Sequence, residues 1–380
     1  MGKNIETFNK EIAGLRQKID DIDSKILSLL AERQAQVKKV VELKKKHGVP
    51  VYHPAREEDL ISMLRMQAQK AGLDPDFMEE LYRIILRQSR VRQTGHMVHQ
   101  GIRPGACILI IGGAGQMGRF FSMLFTRSGY EVRILERNDW QNAHKLCKGI
   151  DLCLISVPIG KTIEIIDRIA PFLDFTTILA DLTSIKEKPV ERMLRAHSGP
   201  VAGLHPLFGP STDSLDKQII VVTKGRKEKQ YQWLVDQLAM WGAVMVRSTA
   251  KEHDEIMGIV QALRHFATFT FGQFLYEKKI PLEKTLEFSS PIYRLELGMV
   301  GRLFAQDSSL YSEIIFAGRK RRQLLKDYIA SLNRHLEMLD RNNKEEFIEK
   351  FNDIAEWFGP FSGQALRESS FLINRLIERF

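Results

Sequence analysis

Residues 107–137 carry the pattern that most restricts the fold of this chain. The run CILIIGGAGQMGRFFSMLFTRSGYEVRILER reads as an aliphatic strand, a glycine-rich turn, a helix and a second strand. Gly113, Gly115 and Gly118 match the G-x-G-x-x-G spacing, whose glycines allow a tight turn, a close approach of backbone to pyrophosphate and close packing of helix on strand. The free N–H groups at the start of the helix would face the phosphates. The stretch therefore predicts a dinucleotide-binding Rossmann domain.

Glu136 ends the second predicted strand, 18 residues after Gly118. A carboxylate there can accept hydrogen bonds from the adenosine ribose hydroxyls and would repel a 2′-phosphate, so it favours NAD over NADP. Arg133 and Arg137 lie close by in the sequence and weaken that preference. The SVP tripeptide at the end of the third predicted strand would lie along the cofactor. The expected NAD-binding residues are Gly113, Gly115, Gln116, Met117, Gly118, Glu136, Ser156, Val157 and Pro158.

Short aliphatic strands alternate with helical segments from Cys107 to about residue 250, which is typical of a mostly parallel sheet. DLTSIKEK (181–188) and GLHPLFGP (203–210) each follow the body of a predicted strand. Because ligands bind at the carboxyl ends of strands in open parallel sheets, Ser184 and His205 are expected beside the nicotinamide. From about Glu252 the strand signals stop and the remainder reads as helical.

The amino-terminal part of the chain reads as helical, and its first helix is unusually long. Residues 5–47 contain no proline and carry apolar side chains at helical spacing from Leu15 onward, and shorter helical patterns cover 56–71 and 75–92. A helix of about 40 residues is ~60 Å long, too long for a three-helix domain to bury by itself. Its apolar stripe predicts a partner, most simply a second copy of the same helix.

A chain of 380 residues exceeds one average domain. The patterns divide it into a helical domain (1–93), a linker (94–105), an α/β Rossmann domain (106–250) and a helical carboxy-terminal domain (251–380). The polar start and the short longest aliphatic run, CILII, predict a chain with neither a signal peptide nor a membrane span. Three cysteines form neither an even disulfide set nor a CxxC motif, which favours a cytoplasmic protein, and we expect no metal site.

The formal net charge is +9. Basic residues are dispersed along the chain and no DNA- or RNA-reading motif accompanies them, so we do not expect nucleic-acid binding. A solubilising surface and cationic pockets for small anionic substrates are both consistent with the charge.

Longer motifs extend the interpretation over nearly the whole chain. GGAGQMGR, ILERNDW, SVPI, GLHPLFGP, EHD, QALRHFATF, SSPIYRLEL and MVGRLFAQD resemble, in matching order, the dehydrogenase half of the bifunctional chorismate mutase/prephenate dehydrogenases of bacterial tyrosine biosynthesis. LRQKIDDID, LLAER, ELKKKHGVPVYHPAREEDL and RQSRVRQ resemble the mutase domain of that family. The resemblance implies an all-α intertwined mutase domain, an α/β Rossmann NAD-binding domain and an all-α dimerisation domain.

The resemblance also implies two reactions. One is the Claisen rearrangement of chorismate to prephenate, and the other is the NAD-dependent oxidative decarboxylation of prephenate to 4-hydroxyphenylpyruvate. A homodimer and feedback inhibition by tyrosine are typical of the family. Two alternatives stay open: an arogenate-preferring or mutase-silent dehydrogenase, and an NAD-binding dimeric regulatory module whose amino-terminal arm only dimerises.

The mutase reaction needs no covalent catalyst, because holding the chair-like conformer and stabilising charge at the breaking ether bond should suffice. His53 stands where some relatives have an acid, and we give it no role. Alternatively, the basic residues of this region form only the solvated face of a helical arm. The resemblance implies Arg16, Arg33, Lys44, Arg56, Glu57, Ser89 and Gln93 as site residues, with Lys44 and Gln93 at the ether oxygen and Glu57 toward the substrate hydroxyl.

Helix geometry separates these cations into two groups. Arg33 and Lys44 are 11 residues apart, which puts them ~20° apart around a helix and ~16 Å apart along it, so both can reach one small ligand. Arg16 lies 28 residues from Lys44, ~42 Å in a straight helix, and cannot reach that ligand. We therefore expect a homodimer in which Arg16 serves a mutase site on the other chain.

For the dehydrogenase reaction, topology and resemblance together point to His205 as the acceptor of the 4-hydroxyl proton of prephenate. Ser184 either hydrogen-bonds the same oxygen or orients His205. Lys186 lies close by in the sequence and could face cofactor or substrate.

The substrate carboxylates need cations from the helical carboxy-terminal domain. Arg302 matches the arginine with which the family binds prephenate, and Arg294 either supports it or forms an internal salt bridge with an acid such as Glu296. His265 either contacts the side-chain carboxylate or holds the site together. His253 is expected to be structural or gating.

Overall fold

The computed structural model describes residues 2–47, 54–97, 101–209, 212 and 214–377. His53 lies outside the described residues. The chain separates into two compact units, described one at a time below. The amino-terminal unit comprises residues 1–157, 162–183 and 188–249, and the carboxy-terminal unit comprises residues 158–161, 184–187 and 250–380.

The amino-terminal unit begins with α1 (Gly2–His47), α2 (Pro54–Lys70) and α3 (Pro75–Met97), which confirms the long first helix. Asp74 starts α3 by accepting a hydrogen bond from the Asp76 N–H at 2.8 Å, in front of Pro75 at the first helical position. The apolar stripe of α1 stays open to solvent in the single chain. Its members and their exposed fractions are Leu15 58%, Ile19 55%, Ile22 54% and Ile26 49%.

The second part of this unit is a sheet with helices connecting its strands. The strands are β1 (Cys107–Ile111), β2 (Glu131–Leu135), β3 (Leu152–Ile155), β4 (Ile178–Asp181), β5 (Val201–Pro206), β6 (Ile219–Arg226) and β7 (Val244–Ser248). The helices are α4 (Gln116–Arg127), α5 (Ala143–Leu146), α6 (Ile159–Ile169), α7 (Glu187–Ala196) and α8 (Glu228–Met240).

The sheet order is β2-β1-β3-β4-β5-β6-β7. Only the β5–β6 pair among these described strands runs antiparallel, which confirms the mostly parallel sheet predicted from the sequence. All residues of β1, β3 and β4 are buried, as expected for strands covered on both faces.

Aromatic packing anchors one end of the sheet. The Phe125 and Trp241 rings meet edge to face with centroids 4.9 Å apart, and the Trp241 indole N–H donates to the Ser128 hydroxyl at 2.9 Å. The buried Tyr130 hydroxyl donates to the Gln237 side-chain oxygen at 2.6 Å. These satisfied polar contacts make a rigid base for the loops at the strand ends.

The carboxy-terminal unit is helical, as predicted. Its helices are α9 (Ala250–Met257), continued through a π-helical turn (Gly258–Leu263) into α10 (Arg264–Glu277), then α11 (Leu282–Glu287), α12 (Pro291–Phe304), α13 (Ser308–Phe316), α14 (Arg319–Asp340), α15 (Lys344–Phe358) and α16 (Pro360–Ile377). Large apolar side chains such as Phe288, Phe316 and Trp357 are exposed in the single chain. Across the described residues, no helix combines the length and the apolar character needed to cross a membrane.

Candidate active sites

The glycine-rich loop after β1 is shaped by close backbone approaches. Gly112 has φ +80°, and a Cβ atom there would lie 2.3 Å from the Ser156 carbonyl oxygen. A Cβ atom at Gly118 would lie 2.2 Å from the Gly112 carbonyl oxygen, and one at Gly113 would meet the Ile134 side chain at 2.8 Å. Larger residues at these positions would therefore push β1, β3 and α4 apart. Gly112 was not among the expected residues, because the G-x-G-x-x-G motif was assigned from Gly113 onward.

Gly115 caps the amino end of α4 in an extended conformation, and a Cβ atom there would sit 3.2 Å from the Gly112 carbonyl oxygen. Its surface is open, as is that of Gln116, while Met117 is half-buried. The first turn of α4 contains no acidic residue, so its free N–H groups keep their attraction for an anion. The loop thus offers a cradle that fits a pyrophosphate.

Glu136 lies beside this loop, as predicted. The Ala114 backbone N–H donates to its carboxylate at 2.6 Å, and the Glu136 N–H donates to Asp139 at 3.2 Å. Arg133 is committed elsewhere, since it donates to Glu131 at 2.8 Å and to the Lys148 carbonyl at 2.7 Å. The Glu136 carboxylate therefore lies next to the cradle while Arg133 is bound to other groups, which fits hydrogen bonding to the ribose hydroxyls of NAD.

The SVP tripeptide continues β3 toward the same loop. The Ser156 N–H donates to the Ile111 carbonyl at 2.9 Å, and Ser156 and Val157 are half-buried while Pro158 is exposed. The residues that surround the loop in the amino-terminal unit therefore fit an NAD molecule in charge and in backbone donors.

His205 lies within β5, not beyond it. It pairs with Val221 of the antiparallel strand β6, which extends the β5 pairing through Pro206, and it is 2% exposed. Asp181 of β4 pairs with Gly203, so its side chain projects from the same face of the sheet as that of His205. The Asp181 carboxylate accepts hydrogen bonds from the backbone N–H and the hydroxyl of Thr183. Asp181 is the last residue of β4. It was not predicted as a site residue, because only residues after the strand, such as Ser184, were expected at the site.

Ser184 and Lys186 belong to the carboxy-terminal unit, where one carboxylate fixes their segment. Asp254 accepts the Lys186 N–H at 2.8 Å and the Glu187 N–H at 3.0 Å, and its Oδ1 lies 2.8 Å from the His253 Nδ1. Burial alone would raise the pKa of Asp254, but these hydrogen bonds outweigh it and lower that pKa. His253 thus stands in a structural contact, and its neighbour Asp254 was missed by sequence reasoning.

The predicted substrate-binding residues of the carboxy-terminal unit differ in exposure. Arg302 is exposed on α12, and Arg294 of the same helix donates to the Leu286 carbonyl at 2.6 Å. His265 is buried, and its ring meets that of Tyr311 edge to face at 4.7 Å. Burial, helped by the adjacent Arg264, lowers the pKa of His265 to about 4. This imidazole is therefore neutral at physiological pH.

Helices α1 and α3 enclose a cavity of about 780 Å³ that contains three of the predicted mutase residues. Arg33 donates from Nη1 to the Ser89 hydroxyl at 2.8 Å. The Gln93 side-chain oxygen is buried there and has no hydrogen-bond partner among the described residues. A buried amide oxygen without a partner is costly unless a ligand or water satisfies it, so we expect a ligand in this cavity to contact Gln93.

The other predicted mutase residues do not line this cavity, and their surroundings differ. Burial lowers the pKa of the Lys44 ammonium, and the Glu57 carboxylate opposes that shift. Glu57 accepts two hydrogen bonds from Arg90, at 2.6 and 2.7 Å. Arg56 and Arg16 are exposed, and the unbroken α1 keeps Arg16 ~42 Å from Lys44 along its axis. Sequence reasoning gave Arg90 no role, although it lies within the RQSRVRQ motif between Ser89 and Gln93.

Comparisons with known proteins find matches for both the helical amino-terminal part and the dehydrogenase part of the chain. A model of type II chorismate mutase matches residues 15–94. Models of the nucleotide-binding and dimerization domains of prephenate dehydrogenase match residues 131–249 and 249–353.

Full-length relatives and a solved structure extend this likeness. The chain is 42% identical to a T-protein of Enterobacter agglomerans over 96% of its own length and 97% of that protein, and 38% identical to a T-protein of Haemophilus influenzae over 97% and 98%. A crystal structure of prephenate dehydrogenase from A. aeolicus with hydroxyphenyl propionate and NAD+ covers 67% of this chain and 97% of its own, with a TM-score of 0.53 and 18% identity. That last likeness concerns the fold.

These matches confirm the resemblance, the fold class and NAD as the cofactor. Relatives well above 30% identity align along almost their entire length, and family models cover both the mutase and the dehydrogenase parts. The chain belongs to the T-protein family of bifunctional chorismate mutase/prephenate dehydrogenases.

Proposed function

We propose that the two reactions of this enzyme are divided between the α1/α3 cavity and the carboxyl ends of the parallel strands. The enzyme rearranges chorismate to prephenate and then oxidises prephenate to 4-hydroxyphenylpyruvate in tyrosine biosynthesis. The observation that carries the assignment of the mutase site is the Arg33–Ser89 hydrogen bond in a cavity where the buried Gln93 amide oxygen finds no partner among the described residues.

In the mutase site, we assign the cations to the two carboxylates and the ether oxygen of chorismate. Arg33 is held by Ser89 and presents its guanidinium to a carboxylate, for which its fork geometry is suited. Lys44 and the Gln93 amide donate to the ether oxygen, where negative charge develops as the bond breaks. Glu57 accepts the substrate hydroxyl, and Arg56 completes the binding of a carboxylate.

Each mutase site takes Arg16 from a second copy of the chain. Two observations support this proposal. Arg16 lies too far along α1 to serve the cavity of its own chain. The apolar stripe from Leu15 to Ile26 is half exposed or more in the single chain, and a second α1 packed against it would bury it. A homodimer with shared mutase sites meets both conditions.

In the dehydrogenase site, His205 accepts the proton of the 4-hydroxyl group while the hydride leaves ring C4. It returns the proton to that oxygen as the ring carboxylate departs as CO2 and the ring becomes aromatic. A neutral imidazole suits this role, and its burial within β5 fixes its direction. NAD, when bound on the glycine-rich loop, supplies the acceptor for the hydride from ring C4. Ser184 hydrogen-bonds the hydroxyl oxygen or orients His205.

Prephenate is a dianion, and its carboxylates bind to cations of the carboxy-terminal unit. Arg302 is exposed on α12 and binds one carboxylate, while Arg294 supports that region through its contact with the Leu286 carbonyl. The neutral His265 contacts the side-chain carboxylate as a hydrogen-bond donor or holds the neighbouring helices in place. Lys186 faces cofactor or substrate, and tyrosine inhibits the enzyme.

The direct test supplies purified protein with chorismate, with and without NAD, and follows chorismate loss and NADH gain separately. We expect chorismate loss in both samples and NADH only where NAD is present. If chorismate persists while added prephenate yields NADH, the mutase assignment is wrong. If neither substrate reacts, the regulatory-module alternative replaces the enzyme.

A further inference from the structure

A cluster of charged side chains joins the mutase helices to the dehydrogenase sheet within the amino-terminal unit. Arg90 of α3 donates from Nη1 to both oxygens of Glu57 and from Nε to both oxygens of Asp216, the latter at 3.0 Å. The Lys217 ammonium lies 3.5 Å from Glu57. The side chains of Arg90, Glu57 and Asp216 are 8%, 13% and 6% exposed. Glu57 belongs to the proposed mutase site, whereas Asp216 and Lys217 belong to neither of the sites described above.

The charges of the cluster balance, two cations against two carboxylates. The side chains of Arg90, Glu57 and Asp216 are largely buried, so removing one of them would leave an uncompensated buried charge. Arg90 is held from opposite sides by Glu57 and Asp216, so its guanidinium has one preferred orientation. The orientation of the Glu57 carboxylate is fixed by the same contacts.

The segment that carries Asp216 and Lys217 is rigid. Leu215 is fully buried in the core of the sheet, and the Lys217 N–H donates to the Gly242 carbonyl at 3.0 Å. Lys217 has φ +57°, a conformation that a lysine keeps only where surrounding contacts impose it. Gly242 approaches Asp216 so closely that a Cβ atom there would lie 3.1 Å from the Asp216 Cα. Asp216 is therefore presented to α3 from a fixed point of the Rossmann domain.

The cluster adjoins the mutase residues. Glu57 acts electrostatically on Lys44, and Arg90 directly follows Ser89, which holds Arg33. A change in the position of Glu57 would therefore alter the electrostatic environment of Lys44, which we assign to the ether oxygen. A shift of the α3 backbone at Ser89 would move Arg33, which we assign to a carboxylate.

We propose that Asp216, a residue of the dehydrogenase domain, is a positioning residue for the mutase reaction, because it holds Arg90 and through it directs the Glu57 carboxylate toward the substrate hydroxyl. The inference rests on the proposed role of Glu57 and extends it across a domain boundary. The mutase site is then incomplete without the Rossmann domain, although no residue of that domain touches chorismate.

A double-mutant cycle on the full-length enzyme tests this, with kcat/KM for chorismate as the readout. We expect Asp216→Ala to lower this value about tenfold, as residues of one ion network commonly couple to this extent. In a Glu57→Ala background the same substitution should cost nothing further, because the carboxylate that it positions is gone. Loss of stability would instead lower the value equally in both backgrounds.

Further variants keep the test decisive if Asp216→Ala folds poorly. Asp216→Asn retains an oxygen for the Arg90 Nε and should cost about two- to threefold, since a neutral acceptor binds a guanidinium less strongly. NADH formation from prephenate by the same samples should stay within twofold and reports the fold of the Rossmann domain. Asp167→Ala, which breaks an exposed ion pair with Arg192 in that domain, is the matched control and should change neither activity.

The outcomes separate the inference from the proposed function. If Glu57→Ala lowers mutase activity but Asp216→Ala does not, the inference alone is wrong. Equal losses from Asp216→Ala in both backgrounds would also overturn it. If Glu57→Ala has no effect, the role given to Glu57 fails and the inference fails with it, while the wild-type mutase activity still supports the mutase assignment.

Discussion

The mutase helices and the Rossmann sheet differ in how completely one chain builds them. Ile108, Leu109 and Ile110 of β1 are fully buried, and the glycine-rich loop and Glu136 form a cofactor cradle from one chain. In α1, by contrast, Leu15 and Ile22 remain more than half exposed, and Arg16 is remote from the cavity that it should serve. Helices on both faces of a sheet bury its apolar side chains within one chain. A 46-residue helix, by contrast, presents more apolar surface than the neighbouring helices can cover.

The cofactor cradle follows from the fold of one chain. The proposed mutase site also takes Arg16 from a second chain, so the contrast predicts that the two activities depend on different levels of assembly. The Arg90–Asp216 contact adds a third dependence, because a residue of the Rossmann domain holds a residue of the mutase helix α3. Substitutions that lower one activity and leave the other unchanged therefore test this comparison between the mutase helices and the Rossmann sheet.

The largest effect is expected at His205. His205→Asn keeps the size and polarity of the side chain but removes its basicity, and general-base catalysis commonly contributes 10²–10⁴-fold. We expect prephenate oxidation to fall about 1000-fold in kcat, with the KM for prephenate changed little and the mutase rate unaffected. Steady-state kinetics of both reactions check this. A raised KM with unchanged kcat would reassign His205 to binding.

Arg16→Ala should lower mutase activity about 100-fold, because a buried guanidinium–carboxylate contact would be lost from every site. NADH formation from prephenate should not change. Lys18→Ala, an exposed cation on the same helix, is the matched control and should leave both rates intact. If both variants were silent, Arg16 would belong to the solvated face of the helix.

Arg302→Ala should raise the KM for prephenate about tenfold or more, through loss of charge-assisted hydrogen bonds to a carboxylate. The kcat at saturating prephenate should fall much less, in contrast to His205→Asn. Initial rates over a range of prephenate concentrations separate the two. A fall in kcat alone would exchange the roles given to Arg302 and His205.

The pH dependence of stability should carry a smaller signature of His265. Its folded pKa of about 4 lies below the usual value of 6.5, so the unfolded chain binds the extra proton in the window between them. The stability that His265 contributes is complete above about pH 6.5 and is lost as the pH falls through 4, with an upper limit of about 3 kcal/mol. Denaturant unfolding at several pH values should detect it. His265→Phe keeps a ring beside Tyr311 and should flatten that decline, and an unchanged slope would mean that other groups cause it.

Sequence periodicity and residue spacing predicted most of the architecture. The 3.6-residue period without proline predicted α1, and the aliphatic runs predicted the buried parallel strands. Strand β7 was not predicted, because VMVRS lies at an edge and carries a polar residue where a buried strand would be apolar. The position of His205 inside β5 was also missed, since Pro206 and Pro210 in LHPLFGP favour a turn and the antiparallel pairing with β6 has no local signal.

The candidate site residues show the same division. Gly113, Gly118 and Glu136 were found because their motif encodes a local geometry that the chain adopts. Asp254 and Asp216 act through contacts with residues 67 or more positions away, and a lone carboxylate in a sequence does not indicate its partner. Such contacts arise from tertiary packing, and only a structure reveals them.

Subunit complementation tests the central claim most directly. Arg16→Ala and Lys44→Ala chains are each purified, mixed, unfolded and refolded together, and the mixture is assayed for chorismate loss. Random pairing makes about half of the dimers mixed, and each mixed dimer holds one site with both cations intact, so mutase activity should return to about a quarter of the wild-type value. If the refolded mixture is no more active than the separate variants, each chain builds its own mutase site and the account is wrong.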